Sequence, residues 1–321
     1  MRMIKFFLCA ALVALATGAQ AQGYPSRPIR VVVPQPPGGG FDLVGRVLAE
    51  RLAQVMGNPV VVENRPGGGT IIGTEAVAKA EPDGHTLLLG ANANIVFNPG
   101  LHEKLPYNPK TDFVPIGLAT FNAYTLVARN DLPFTSLKEI VAYARANPGK
   151  LTYASAGNGT GQHIAAAVTF HRAGVQLTHV PYKGAGPAYQ DLMPGRVDLF
   201  FDNSATAQPH IEGGRVKAIA VSAAERLAAH PNVPTVRENG VDFDLEAWIG
   251  YFVRAGTPEP IVARLRADFD KVLAMPDVAA GLQKRGYRTI RLSPGATEAM
   301  VARDIDKWTQ LIRSAGIRAA D

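Results

Sequence analysis

The chain of 321 residues carries 33 Lys and Arg against 27 Asp and Glu, a formal charge of +6, and 47% of its residues are apolar. Its basic residues are scattered, with no run longer than a pair such as Lys284-Arg285, so the clustered stripe that nucleic-acid binding uses is missing. The one cysteine, Cys9, excludes an internal disulfide, and no apolar segment reaches the length needed to span a bilayer.

The first residues, "MRMIKFFLCAALVALATGAQAQ", have the plan of a secretory signal peptide over residues 1–21. Arg2 and Lys5 charge its start, an apolar run covers Phe6 to Ala16, and Ala19-Gln20-Ala21 fits a small-x-small cleavage site. Cleavage removes Cys9 and lowers the formal charge from +6 to +4, leaving a soluble exported protein without thiol chemistry. The roughly 300 mature residues suggest two domains.

"IRVVV" then opens a series of β-rich runs separated by stretches of helical periodicity. Leu48, Leu52, Val55 and Met56 share one face of the first predicted helix, which Gly57 stops. The next strands in order are "PVVVEN", "HTLLLG", "VPIGLA" and "YTLVAR". Ser136 and Glu139 form a capping box for "LKEIVAYARAN", which Pro148 closes. "LTYAS", "VDLFF", "VKAIAVS" and "GYFVRA" follow, and Thr257 with Pro258 opens "EPIVARLRADFDKVLAM". Val301, Ile305, Trp308 and Ile312 give the last long helix its buried stripe. This alternation predicts an α/β fold with largely parallel sheets.

Three glycine-rich turns each leave a strand and lead into a helix: "PPGGGFD", "RPGGGTIIG" and "SAGNGTGQH". Glycine lets backbone amides approach a ligand closely, and a helix N-terminus adds unpaired donors with partial positive charge. Neither GxGxxG nor GxxxxGK[ST] fits these turns, so a carboxylate suits them better than a nucleotide. Asp42 reads as the N-cap of the first helix or as a direct ligand contact. Asp202, ending the strand "VDLFFD", reads as an acceptor for a ligand hydroxyl or ammonium, or as a cap for "NSATAQPHI". Lys183 in "PYKGAGPAYQDL" could meet an anion or remain a solvated surface lysine.

Catalytic and metal signatures are weak. Pro106 stands where "HEKLP" would need its second histidine, and His163 and His171 are eight apart, not one helical turn. No serine sits in a GxSxG elbow. Ser155, His163 and Asp202 could be assembled into a triad, but a chain of this length offers many such triples. His163 reads instead as an orienting residue of its loop.

These tracts carry a resemblance. "YPSRPIRVVVPQPPGGGFDLVGRVLAERL", "VVVENRPGGGTIIGTEAVAKAEPDGHTLLLG", "LTYASAGNGTGQH", "HVPYKGAGPAYQDLMPGRVDLFFDN" and "GYFVRAGTPEPIVARL" resemble the substrate-binding proteins of tripartite tricarboxylate transporters, the Bug family of periplasmic receptors. The likeness covers essentially residues 23–321. It implies a type II-like periplasmic binding protein, with two α/β lobes, two crossing hinge strands and the ligand in the interlobe cleft. Lobe one would comprise residues 23–121 plus 225–321, and lobe two residues 122–224. The resemblance implies carboxylate binding at Gly38, Gly39, Gly40, Phe41 and Asp42, and at Ser155, Gly157, Gly159, Thr160 and Gly161, with His163 joining the candidate ligand site as the orienting residue of that loop. Thr70, Asn92 and Asp202 match neighbouring loop positions. Phe41 would put an aromatic ring at the mouth, shrinking the pocket or stacking on an aromatic acid. No cofactor, metal or nucleic acid is implied. The partners would be a small carboxylate and the membrane subunits of the transporter, with the receptor a monomer. An exported hydrolase acting on a carboxylate, or a sensor presenting ligand to a membrane kinase, are the alternatives.

Overall fold

The computed structural model describes residues 23–319, so the expected leader at 1–21 lies outside the described residues. The first half of the chain runs β1 (Ile29–Val33), α1 (Gly40–Met56), β2 (Val60–Asn64), α2 (Ile71–Ala78), β3 (Thr86–Ala91), α3 (Asn98–Leu101), β4 (Phe113–Ala128), α4 (Leu137–Ala146) and β5 (Thr152–Ser155). It continues through α5 (Gly161–Arg172), β6 (Thr178–Pro181), α6 (Ala185–Leu192), β7 (Leu199–Asn203), α7 (Ser204–Glu212) and β8 (Lys217–Val221). The last elements are β9 (Glu246–Arg254), α8 (Glu259–Leu273), α9 (Pro276–Gln283), β10 (Arg288–Thr289) and α10 (Pro294–Ser314).

The strands join in the order β2-β1-β3-β9-β4-β7-β5-β6, with β8 and β10 also paired to β4. β4 is where two half-sheets meet. Its residues Phe113 to Ala123 run antiparallel to β9, and Tyr124 to Ala128 run antiparallel to β7 and β8. The sequence reading split this element into "VPIGLA" and "YTLVAR". The intervening "TFNA" holds no Pro or Gly to break it, and pairing on both sides carries it through as one strand.

Period-2 alternation builds the cores. Ile29, Val31, Val33, Leu87 and Leu89 face one core, shared with Leu48 and Leu52 of α1 and Phe269 of α8. Val32 and Leu88 face the opposite one, with Phe97, Trp248 and the α10 stripe of Val301, Ile305, Trp308 and Ile312. Local signals also hold. Gly57 ends α1 at φ 65°, and Ser136 with Glu139 forms the expected capping box at α4.

The fully buried Ser222 clamps the two chain segments that pass between the half-sheets. Its hydroxyl accepts from the Tyr124 amide at 2.9 Å and donates to the Leu245 carbonyl at 2.6 Å. Ser222→Ala leaves that buried amide and carbonyl unpaired, which should cost about 1–3 kcal/mol of stability in denaturant titration.

Candidate functional site

β1 and β3 run parallel in one half-sheet, and β5, β6 and β7 in the other. Parallel strands place their carboxyl ends, and the helices that follow, along one edge. Both edges face a single cleft of about 400 Å³, a volume suited to a small organic molecule. Five helical starts reach its wall: α1 at Gly40, the π-helical turn after β3 at Asn92, α5 at Gly161, α6 at Ala185 and α7 at Asn203. Each offers amide donors without intrahelical partners and a partial positive charge. Among the described residues no Lys, Arg or His lines the cleft. The wall thus offers an anion helix-terminal amides rather than cationic side chains, and Phe41, Phe97 and Trp248 supply apolar surface.

Two tyrosines fix the closest approach of this wall. A Cβ on Gly40 would lie 2.2 Å from the Tyr287 hydroxyl, and a Cβ on Gly161 would lie 1.8 Å from the Tyr124 hydroxyl. Each helix can start there only because its first residue has no side chain. Burial, and then the nearby Asp202, push the Tyr287 phenol up to about 12, so it remains a neutral hydroxyl at the wall.

Two buried polar side chains in the wall are incompletely satisfied. Asn92 Oδ1 accepts from the Trp248 amide at 2.6 Å, while its Nδ2 has no partner. Asp202 is fully buried at the end of β7; Oδ1 accepts from Gln162 Nε2 at a long 3.4 Å, and Oδ2 has no partner. The Tyr189 hydroxyl helps stabilise its anion electrostatically, but makes no aligned hydrogen bond with it. Burial pushes the Asp202 carboxyl up to about 7, against the opposing pull of the Asn203 amide, Gln162 and Tyr189.

Of the residues expected from sequence, Gly38, Gly39, Gly40, Phe41, Asn92, Gly161 and Asp202 line the cleft. The others lie behind it. Asp42 is neither the N-cap, which is Gly39, nor part of the wall. Its carboxylate turns back to accept from the Gly38 amide, Arg46 and Asn64 at 2.9–3.0 Å, holding the glycine loop in shape. Burial works to raise this carboxyl, yet those three donors together hold it below the usual range. Thr70 is buried with Asn98 because β2, the strand before its loop, is the outermost of its half-sheet. Asp202 does not cap α7 either; Asn203 does, accepting from the Ala205 amide at 3.0 Å.

Ser155, Gly157, Gly159, Thr160 and His163 form the frame under the second loop. The Ser155 hydroxyl bonds His179 Nε2 at 2.7 Å, Thr160 caps α5, and the Gly159 amide donates to His163 Nδ1 at 3.2 Å. The His163 and His179 rings stack at 4.1 Å, and burial holds them neutral, at about 3 and about 4. The supposed triad therefore does not assemble: Ser155 pairs with His179, and Asp202 with Gln162. Lys183 is absent from the wall, where its neighbours Gly184 and Ala185 stand.

Sequence reasoning missed Asn122, Tyr124, Gln162, Thr206, Trp248 and Tyr287. Gln162 lay within a quoted loop and was passed over. Tyr124 reads as an ordinary strand residue, Trp248 lies just before the predicted strand "GYFVRA", and nothing local to "KRGYRT" signals that Tyr287 returns to the cleft.

Comparison with known proteins agrees with this geometry. Residues 44–317 match the model of the tripartite tricarboxylate transporter family receptor. The chain is 39% identical over 314 residues to the "UPF0065 protein in tcbD-tcbE intergenic region" of Pseudomonas sp. strain P51, covering 97% of this chain and 93% of that one. It is similar to MatC from Rhodopseudomonas palustris with bound malate (TM-score 0.81, 36% identity, 90% of this chain and 100% of that one). It is also similar to R. palustris Rpa4515 with adipate (TM-score 0.82, 31% identity, 92% and 99%). With two half-sheets sharing one cleft, and a match running through nearly all the described residues, the chain belongs to the tripartite tricarboxylate transporter receptor family.

Proposed function

We propose that this protein is a periplasmic receptor that captures a small organic carboxylate and delivers it to the membrane subunits of a tripartite transporter. The observation carrying this is the convergence of five helical starts on a cleft that no cationic side chain lines among the described residues. Malate and adipate in two relatives favour an aliphatic dicarboxylate, with Phe41 at the mouth limiting its width. The contacts we assign are the amides from Gly38 to Phe41 and of Gly161 and Gln162, with Asn92, Tyr124, Tyr287 and Asp202. Lobe one comprises residues 23–121 plus 225–321, lobe two residues 122–224, and ligand favours closure by its differential affinity for the closed state. The receptor acts as a monomer, is exported through a signal peptide cleaved after Ala21, and has no catalytic role.

A thermal-shift screen of ligand-stripped mature protein against mono-, di- and tricarboxylates tests this. A ligand at a hundred times its Kd should add about 2.7 kcal/mol of stability and be recovered unchanged. No shift with any acid, or turnover of one, overturns the proposal. Gly39→Val is the companion variant. Its Cβ would meet only Gln35 Oε1 and the Pro36 carbonyl at 3.9 Å, so the fold should stand. A branched side chain in the wall should nevertheless weaken binding by about tenfold or more, about 1.4 kcal/mol.

A further inference from the structure

The charges in the cleft do not balance for a doubly charged ligand. Among the described residues Asp202 is the only carboxyl in a wall without Lys, Arg or His, and it is fully buried with Oδ2 unpartnered. A dicarboxylate enclosed there would place three negative charges in one desolvated space, opposed by neutral donors (helix-terminal amides, Asn92 and the two tyrosine hydroxyls) and by no full positive charge. Like charges at such range cannot all persist, and the cheapest remedy is a proton.

We infer that Asp202 is protonated in the ligand-bound cleft and donates its proton to the second carboxylate, so that a captured dianion brings one proton with it. This rests on the carboxylate reading above and deepens it. The proton comes from solvent whenever free Asp202 is ionised, and leaves again on release.

Among the described residues no cationic side chain makes an ion pair with Asp202. Gln162 faces it from α5, and Thr125 stands opposite it in the β4 register. Tyr124, Tyr189 and Tyr287 are the titratable groups that feel its charge, and burial raises all three phenols. His210 stacks on Tyr189 at 3.7 Å and is pushed below its ordinary value, first by burial and then by Arg215. Arg215 acts on Tyr189 and His210 but makes no ion pair with Asp202. The upward displacement of the free carboxyl to about 7 places this titration within the range a periplasm meets.

The test is isothermal titration calorimetry of the mature protein with adipate and with malate, in phosphate and Tris buffers. Affinity should fall about tenfold from pH 6 to pH 8, with close to one proton taken up per ligand at pH 8. Asp202→Asn mimics the neutral acid, so its affinity should not vary with pH and should exceed that of the wild type at pH 8 by about tenfold. A purely structural Asp202 would give a weaker variant at every pH. Binding without proton uptake, or with proton release, overturns the inference and leaves the receptor reading intact. Absence of binding to any acid at pH 6 overturns both.

Discussion

Gly161→Ala should weaken ligand binding by about a hundredfold, or 2.7 kcal/mol, and Gly161→Val should abolish it. The added Cβ would sit 1.8 Å from the Tyr124 hydroxyl and 2.4 Å from Cζ, well inside contact distance. Tyr124 cannot yield easily. Its backbone pairs with Asn203 of β7 on one side and with Ser222 on the other, at the point where β4 passes between half-sheets. The N-terminus of α5 must therefore withdraw and take the Gly161 and Gln162 amides out of the wall. The neighbouring frame of Ser155, His163 and His179 would be disturbed with it, so some loss of stability should accompany the loss of affinity. Tyr124→Phe in the Gly161→Ala background removes the nearest clashing atom but not the ring, so it should restore part of the stability and little of the affinity. Calorimetry beside urea denaturation separates the two quantities. Undiminished binding by Gly161→Ala would place the ligand elsewhere.

The Asp202→Asn variant should also be more acid-sensitive than the wild type. His163 and His179 have folded values of about 3 and about 4, below the ordinary 6.5. As pH falls through 6.5 the unfolded chain gains protons that the native one refuses, so these groups withdraw stability below that pH. Asp202 works in the opposite sense. Its folded value of about 7 lies above the ordinary 3.8, so it stabilises at low pH and gives that contribution up as pH rises toward 7. Between pH 7 and pH 5 the histidine pair withdraws about 2–4 kcal/mol and Asp202 returns an amount of the same order, about 2 kcal/mol. Asp202→Asn removes the compensation, so denaturant titrations should show its stability dropping by about 2–4 kcal/mol over that interval. A second substitution, His179→Phe, keeps a ring in the stack and should recover roughly half of the drop. An equally flat profile in all three proteins would mean that the buried histidines titrate normally.

Much of the fold was legible because its signals are local. The capping box at Ser136 and Glu139, the stop at Gly57 and the stripe from Val301 to Ile312 each lie within one element, and each forms as read. The glycine loops at Gly38–Gly40 and Gly161 also reach the cleft wall, since a strand-to-helix turn at the sheet edge places them there. The failures are of another kind. Asp42 and His163 have the chemistry of ligand contacts, but whether a polar side chain faces a cleft or the loop behind it depends on donors elsewhere, such as Asn64 and His179. Thr70 was misplaced because strand order, which puts β2 at an edge, is not written in the loop after it. Tyr124, Trp248 and Tyr287 reach the site by tertiary return, and periodicity within their own segments shows only that they are buried.

The strand order also sets a timetable. In the finished sheet Leu89 of β3 sits beside Tyr251 of β9, yet Tyr251 follows it by 162 positions (251 minus 89). A ribosome adding about 5–20 residues per second delivers β9 roughly ten to thirty seconds after β3. Throughout that interval β3 presents an unpaired apolar edge of the kind that recruits neighbouring chains. The half-sheet of β5, β6, β7 and β8 has all its named strands early, because its β4 segment precedes it and its last strand ends at Val221. The portion in the middle of the chain is thus complete first, and the portion that begins the chain depends on strands from its last third. A transcript cut short before residue 246 would yield one finished half-sheet joined to an open, adhesive one.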